Sequence, residues 1–206
     1  VMSGELEPGA PLREAALSQR FEVSRRTVRD ALAILEREGL ARHHRHRGAF
    51  VTQFGAADII DLYRVRRTME LAAAQQAPDA TAAARAALDD AFARLADATR
   101  LGRASEIVLR DLNFHRAVVG LLGSDRFDRF FAEISVEMRY ALSILESSYQ
   151  ESAVRPAEAL DEHRAMYAAL RDGDSAAAAA LIDEHIRDNQ ALLLQAIAAL
   201  PDPAEA

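Results

Sequence analysis

The chain has 206 residues, of which 50% are hydrophobic, a formal net charge of −7 at pH 7, and neither cysteine nor tryptophan. No apolar run approaches the roughly 20 residues that span a bilayer, and the opening VMSGELEPGA lacks the basic and then apolar pattern of a secretory signal. These features exclude a membrane-spanning protein, and the lack of cysteine excludes both disulfide bonds and a thiolate metal site. We therefore expect a soluble, cytoplasmic protein with one large or two small domains.

Basic charge is concentrated in the first quarter of the chain. Residues 1–54 hold nine arginines against seven acidic residues, whereas residues 55–206 hold sixteen arginines against twenty-five acidic residues. Only the N-terminal segment therefore has a charge balance suited to a polyanion such as DNA.

Residues 12–40 have the pattern of two helices joined by a turn. Ser24 is a good N-cap for the second helix, which we expect to end at Gly39. The predicted apolar faces are Leu12, Ala16, Leu17 and Phe21 in the first helix, and Val28, Ala31, Leu32 and Leu35 in the second. After Gly39 the pattern changes to a short strand, a basic turn that holds Gly48, and a return strand near Val51. This order is that of a winged helix-turn-helix domain.

Positive charge crowds the start of the second predicted helix. Arg25, Arg26 and Arg29 lie in its first turns, where the positive end of the helix dipole disfavours cations unless an anion arrives. Arginine can read guanine in the major groove, and hydroxyl groups can bond phosphate oxygens. The predicted DNA contacts are Ser24, Arg25, Arg26, Thr27, Arg29, Arg47 and Gly48. The alternative is a solvent-exposed, arginine-rich helix in an ordinary α+β module.

Beyond residue 55 every strong pattern has the period of a helix. Glycine and proline divide this region into about six predicted helices, at 56–76, 79–101, 104–122, 125–149, 156–172 and 174–200. The short connections favour an antiparallel all-α bundle. We therefore expect a mainly α protein, with a winged helix-turn-helix DNA-binding domain over residues 1–54 and a helical domain over residues 55–206.

Polar residues interrupt the apolar faces of three of these helices. His115, with Asp111 one turn before it, His163 and His185 each fall on a stripe that otherwise faces the core. A single histidine on such a face is usually a satisfied core residue. Three of them with an aspartate could instead share one divalent ion, for which these ligands suit Zn²⁺, Ni²⁺, Mn²⁺ or Fe²⁺. Four ligands in an octahedral site would leave positions for water or a small molecule.

The N-terminal quarter of the sequence resembles a known family. VSRRTVRDAL, LEREGL and RGAFV, together with the upstream GELEPGAPLRE, look like the DNA-binding domain of the GntR superfamily of bacterial transcription regulators, over about residues 3–53. The resemblance implies that Arg25 and Arg29 contact DNA, that Thr27 lies at the phosphates, and that Gly48 lies at the tip of the wing.

The helical region is similar to the FCD domain, the effector-binding and dimerisation domain of the FadR-like branch of the same superfamily. DLNFH, EHRAMYAALRDGD and IDEHIRDN carry the resemblance, which implies a metal held by Asp111, His115, His163 and His185. DLYRVRRTMELAAA is similar to the first-helix signature of that domain and aligns Arg66 and Glu70 with it. The predicted effector-binding residues are Arg66, Tyr63 and Asn189. Arg66 could instead form an intrahelical pair with Glu70.

These observations together predict a regulator and not an enzyme. We expect a homodimer that reads an inverted repeat of operator DNA, with repression relieved when a small organic acid binds at the metal. Two alternatives remain open. One is a constitutive DNA-binding protein whose metal is only structural, and the other is a metal-dependent hydrolase, since a bound ion could activate water.

Overall fold

The N-terminal part of the protein is a winged helix-turn-helix. The computed structural model describes residues 6–102, 104–148 and 156–199. Its first elements are strand β1 (Pro11–Leu12), helices α1 (Glu14–Arg20) and α2 (Arg25–Arg37), and strands β2 (Ala41–His44) and β3 (Gly48–Val51). The strands form one antiparallel sheet in the order β1-β3-β2. The predicted helix pair and hairpin are confirmed, whereas β1 was not predicted.

The apolar face predicted for the first helix is wrong in part. Leu12 is buried, but it lies in β1, opposite Ala49, and not in the helix. The helix ends at Arg20, so Phe21 leaves the stripe and is 61% exposed. The exposed residues of the two predicted faces also include Ala16 and Ala31.

Helix α2 begins and packs as its sequence indicates. The Ser24 hydroxyl accepts a hydrogen bond from the Thr27 amide at 3.1 Å, which caps the helix. Val28 and Leu32 are buried beneath it. Gly39, with φ +72°, allows the chain to turn directly into β2.

The rest of the described chain is an antiparallel helical bundle. Its helices are α3 (Ala56–Gln76), α4 (Ala82–Arg100), α5 (Ala104–Gly120), α6 (Asp125–Ser148), α7 (Pro156–Asp172) and α8 (Ser175–Ala198). The predicted ends at residues 149 and 200 lie outside the described residues. Helix α4 begins later than the predicted start at residue 79. A short 3₁₀ helix (Ala77–Asp79) comes first, and Thr81 then caps α4.

The core of the bundle lies where α3 packs along α8 and α5. Its most deeply buried apolar residues include Ile59, Phe114, Val118, Phe131 and Ile182, each fully excluded from solvent. Within the described residues, no helix combines the length and the apolar character needed to cross a membrane.

Helix α6 joins the bundle to the base of the wing, which is the hairpin of β2 and β3. The Tyr140 hydroxyl donates a hydrogen bond to the Thr52 carbonyl oxygen at 2.7 Å. The Tyr140 ring also packs on the Phe54 ring, with the two ring centres 5.6 Å apart. Arg42 of β2 forms an ion pair with Asp58 of α3 at 2.8 Å. The winged helix-turn-helix is therefore fixed to the bundle by hydrogen-bonded and apolar contacts as well as by the chain itself.

Replacing Gly39 by alanine tests this junction. A Cβ atom there would lie 2.6 Å from Cδ of Glu137 on α6, whereas a Cβ at Gly48, which also has a positive φ, would meet nothing within 4 Å. Both variants should therefore lose the stability that a positive φ costs alanine, roughly 1–2 kcal/mol. The obstructing atoms are the outer part of the half-buried Glu137 side chain, which can turn aside, so we expect G39A to lose only about 1 kcal/mol more, the low end of the overpacking range, as measured by urea denaturation. Adding E137A should remove that extra loss; a G39A variant no less stable than G48A would contradict the contact.

Candidate functional site

Four polar side chains predicted from the sequence meet inside the bundle. They are Asp111 and His115 of α5, His163 of α7 and His185 of α8, and one ligand atom from each lies within 4.8 Å of all the others. The three imidazole ring centres are 4.6 to 5.2 Å apart. All three histidines are buried, and the Asp111 side chain retains 22% exposure. The sequence predicted this convergence; that the cluster holds a metal stays a prediction.

Helical spacing explains how the sequence brings these side chains together. Asp111 and His115 are four residues apart, so they project from neighbouring turns of one face of α5. His163 lies on the same face of α7 as the buried Met166 and Leu170. Because these faces pack against one another, their polar residues meet at one depth in the bundle.

The separations among the ligand atoms of Asp111, His115 and His163 match those of ligands on one ion. Nε2 of His163 lies 2.8 Å from Oδ1 of Asp111 and 3.2 Å from Nε2 of His115. An ion with bonds of about 2.1 Å separates neighbouring ligand atoms by roughly 3.0 Å at a right angle and 3.4 Å at a tetrahedral angle. Nε2 of His115 lies 3.8 Å from the same carboxylate oxygen, within the span of about 4.2 Å between opposite ligands on such an ion.

The opposite nitrogen of each imidazole already has a partner. Nδ1 of His115 lies 2.7 Å from Oε2 of Glu70, and Nδ1 of His163 lies 2.6 Å from the Ala159 carbonyl oxygen. Nδ1 of His185 lies 2.9 Å from Oε2 of Glu162. Because these oxygens only accept, each Nδ1 carries a proton, and each neutral ring presents an Nε2 lone pair. Two such lone pairs and a carboxylate oxygen in contact repel one another unless a proton or a cation lies between them.

Electrostatics in the cluster favour a neutral His115 and an anionic Asp111. Burial lowers the pKa of His115 well below its usual value, and the nearby Arg66 lowers it further. Burial acts to raise the pKa of Asp111, but hydrogen bonding and charge from His163 prevail and hold it well below its ordinary range. Burial likewise acts to lower the pKa of His163, yet Asp111 raises it overall. One carboxylate with three imidazoles is a donor set suited to borderline divalent ions, and such an ion would displace the proton that Asp111 favours on His163.

A buried ion pair lies directly behind His115. Nε of Arg66 donates to Oε1 of Glu70 at 2.8 Å, and both side chains are almost fully buried. The intrahelical pair considered as an alternative for Arg66 is therefore present. The Nη2 atom of Arg66 and the Tyr63 hydroxyl have no hydrogen-bond partner among the described residues, although both atoms are buried. Burial raises the pKa of Tyr63 to about 12, so the hydroxyl remains protonated and can donate.

Asn189 lies one turn beyond His185. Its Nδ2 donates to the His185 carbonyl oxygen at 3.0 Å and lies 3.0 Å from Nε2 of the same ring. Asn189 is therefore at the cluster, in contact with a predicted metal ligand. Its predicted contact with an effector stays a prediction.

The sequence did not identify the residues that anchor the imidazoles. The sequence predicts Glu70 as a partner for Arg66 and, in the hydrolase alternative, Glu70 or Glu162 as a base, but not as partners of the histidines; the carbonyl of Ala159 carries no sequence signal. A glutamate on the buried stripe of α3, between Met69 and Ala73, was the available signal for Glu70. Its contact with α5 depends on how the two helices are aligned, which periodicity does not give.

The predicted DNA contacts lie on one end of the winged helix-turn-helix. Arg25, Arg26, Arg29 and Arg47 are exposed, and Gly48 opens β3 with φ +89°. The exposed residues of this set also include Ser24 and Thr27, whose hydroxyl oxygens are 2.9 Å apart. Helix α2 and the wing border a cleft of about 820 Å³, lined in part by Arg29 and Arg47. Arg29 is not simply solvated, because it makes two hydrogen bonds to Glu14, at 3.0 and 3.1 Å.

Comparison with known families gives two matches that together cover most of the chain. Residues 1–51 match the family described as bacterial regulatory proteins, gntR family, and residues 61–188 match the FCD domain. The crystal structure of a GntR transcriptional regulator from Rhodococcus sp. RHA1 superposes with a TM-score of 0.77 and 26% identity, covering 97% of this chain and 93% of that one.

Curated relatives are also similar over much of their length. An HTH-type transcriptional regulator of Streptomyces ambofaciens is 30% identical over 91% of this chain and 77% of its own length. The galactonate operon transcriptional repressor of Escherichia coli is 26% identical over 88% of this chain and 87% of its own length. The match to the HTH-type regulator YdhC of Bacillus subtilis is shorter, with 31% identity over 34% of this chain, and it spans only 31% of that relative.

Proposed function

The chain belongs to the GntR family of bacterial transcription regulators and carries an FCD domain, and on that basis we propose that it represses transcription until a small carboxylate binds at a metal in its helical bundle. The two family matches confirm the resemblance seen in the sequence, and the family consists of regulators and not of enzymes. The convergence of the Asp111 and histidine ligand atoms within 4.8 Å is the observation that carries the proposal.

The donor set supports a divalent ion as the cofactor. Asp111, His115, His163 and His185 would hold it, and Zn²⁺, Ni²⁺, Mn²⁺ and Fe²⁺ each suit one carboxylate with three imidazoles. The outward Nδ1 partners keep the Nε2 atoms directed at the ion. When bound, such an ion supplies positive charge and further coordination positions for oxygen ligands.

Two buried donors beside the cluster support a carboxylate as the effector. Nη2 of Arg66 and the hydroxyl of Tyr63 lack partners among the described residues, and leaving buried donors unpaired costs about 1–3 kcal/mol each. A carboxylate accepts from both at once, and guanidinium groups bind carboxylates well. One relative is named for a galactonate operon, and galactonate is itself a hydroxy acid. Asn189 touches His185, and from there it would contact the remainder of such a molecule.

DNA recognition is assigned to the winged helix-turn-helix, for which we propose the bounds 1–54, and dimerisation to the helical domain over residues 55–206. In a twofold homodimer, two copies of α2 would read half-sites about one turn of DNA apart, roughly 34–36 Å. Exposed arginines at the start of α2 support this assignment, because they bring positive charge to a chain that is acidic as a whole.

The proposal is tested by finding the operator and titrating it. Random DNA is first selected on the purified protein, and the recovered site is then used in gel-shift assays with zinc-loaded and chelator-treated protein. We expect an inverted repeat, and we expect that one or more members of a panel of hydroxy acids and dicarboxylates release it only from zinc-loaded protein. Release by no acid, together with chelator-induced unfolding, would instead favour a constitutive binder with a structural metal.

Replacing Arg25 by alanine tests the DNA surface. Arg25 is exposed at the start of α2, so we expect weaker operator binding and, if it contacts a phosphate, a slope of log K against log salt that is smaller by about 1. Arg187→Ala is the matched control, since it removes the same charge from an exposed position on α8. Equal binding by R25A and R187A would remove Arg25 from the interface.

A further inference from the structure

Glu70 holds a metal-site imidazole from outside the cluster of four. It projects from α3, is fully buried, and has one carboxylate oxygen 2.7 Å from Nδ1 of His115. Its other oxygen accepts from Nε of Arg66 at 2.8 Å. Each carboxylate oxygen is therefore engaged by a different residue, one on its own helix and one on α5.

This contact determines which nitrogen of His115 faces the cluster. With Nδ1 donating to Glu70, the Nε2 lone pair must point toward Asp111 and His163. Removing the acceptor would leave a buried N–H without a partner, and the ring would gain from turning or from moving its proton to Nε2. Either change takes the lone pair away from the point where the four ligands meet.

A carboxylate is also a stronger partner than a neutral group. It stabilises the Nδ1 proton and makes Nε2 a better electron donor toward a cation. A carboxylate this deeply buried is costly unless it is paired, and Arg66 on the preceding helical turn supplies that pairing. Burial raises the pKa of Glu70 above its ordinary value, and the ion pair with Arg66 opposes that rise and so favours a charged acceptor behind His115.

We infer that Glu70 is a positioning residue of the metal site: held by Arg66, it orients His115 so that its Nε2 atom is available to the ion. This inference rests on the proposed function, because it presumes that the cluster binds a metal. It assigns Arg66 a role in metal binding that is separate from any contact with the effector.

Glu162 provides a matched control. It makes the equivalent contact to Nδ1 of His185, at 2.9 Å, but its side chain is 57% exposed, whereas that of Glu70 is fully buried. Water can replace the exposed carboxylate of Glu162 as the acceptor. Water has no such access to Nδ1 of His115, so the two glutamates should differ in how much their loss matters.

The experiment measures zinc affinity by competition with a chromogenic chelator for the wild type, Glu70→Gln and Glu162→Gln. We expect E70Q to bind zinc about 10–100-fold more weakly, the usual cost of losing an outer partner of a ligand, and E162Q to lose clearly less. Cobalt-substituted E70Q should also show a shifted visible absorption spectrum, which a merely structural defect would not produce in protein that still holds the ion.

A second comparison guards against misfolding of E70Q, in which Arg66 is left buried without its anion. The double variant R66Q/E70Q carries neither buried charge, whereas R66Q leaves only the Glu70 carboxylate, without its cation. The double variant should bind zinc about 10–100-fold more weakly than R66Q, because it lacks the charged acceptor behind His115. Zinc affinity and a cobalt spectrum unchanged by E70Q, with R66Q/E70Q equal to R66Q, would overturn the inference while leaving the metal site intact. A wild-type protein that binds no zinc would overturn the proposed function itself.

Discussion

Replacing His163 by alanine should lower zinc affinity by more than about 100-fold, because loss of an outer partner alone costs 10–100-fold and His163 is proposed to bind the ion directly. Its Nε2 atom lies 2.8 Å from Oδ1 of Asp111 and 3.2 Å from Nε2 of His115. The effect is measured by chelator competition and by the metal content of purified protein.

Thermal denaturation gives a second measure of the same change. Zinc that binds only the folded wild type should stabilise it by about 2.7 kcal/mol when free zinc is 100 times the dissociation constant. H163A should gain almost nothing at the same concentration. His43→Ala is the control, since it removes an exposed histidine of the wing and should leave the response to zinc unchanged. Undiminished zinc binding by H163A would sink the assignment of the metal site.

Replacing Arg66 by methionine should destabilise the metal-free protein by about 3–5 kcal/mol, the range found when one partner of a buried ion pair is removed. Met is unbranched and close to Arg in volume, but it leaves the Glu70 carboxylate fully buried without its cation. The measurement is urea denaturation in the presence of a chelator, so that metal binding does not contribute.

The neighbouring residue supplies the control for that variant. Arg67 also pairs with a carboxylate, Asp183 of α8, but its side chain is 48% exposed. Because solvent screens exposed pairs, Arg67→Met should change stability little. If R66M proves as stable as R67M, then the buried pair contributes little to folding, and the account of how Glu70 is held fails with it.

Much of the architecture follows from local chemistry, which is why it was predictable. Helix α3 has the predicted limits of residues 56 and 76, because Pro78 stops the periodic pattern and the first turn begins after a glycine. Strand β1 was missed because two residues on a sheet edge have no periodicity to detect. The short helix α1 was only partly predicted, since its two turns allow several assignments of an apolar face.

The candidate site was likewise predictable only in part. Stripes on three separate helices were enough to predict that Asp111 and the histidines meet, because a residue on a buried stripe must face the core. The partner of His115 could not be predicted, since it depends on the axial alignment of α3 against α5. The choice between the two roles of Arg66 was also open, because Glu70 and the cluster lie on the same side of α3.

The junction at α6 links the two ends of the molecule mechanically. Helix α6 packs on α5 and α8, which carry three of the four clustered side chains. Its Tyr140 also bonds Thr52 at the base of the wing, and its Glu137 lies beside Gly39, two residues beyond the end of α2. A shift of α6 along its axis by a fraction of an ångström would therefore strain the 2.7 Å hydrogen bond from Tyr140 to the Thr52 carbonyl oxygen. In the homodimer proposed above, we expect the same small movement in each subunit to change the distance between the two copies of α2, so that half-sites at a fixed spacing no longer fit both.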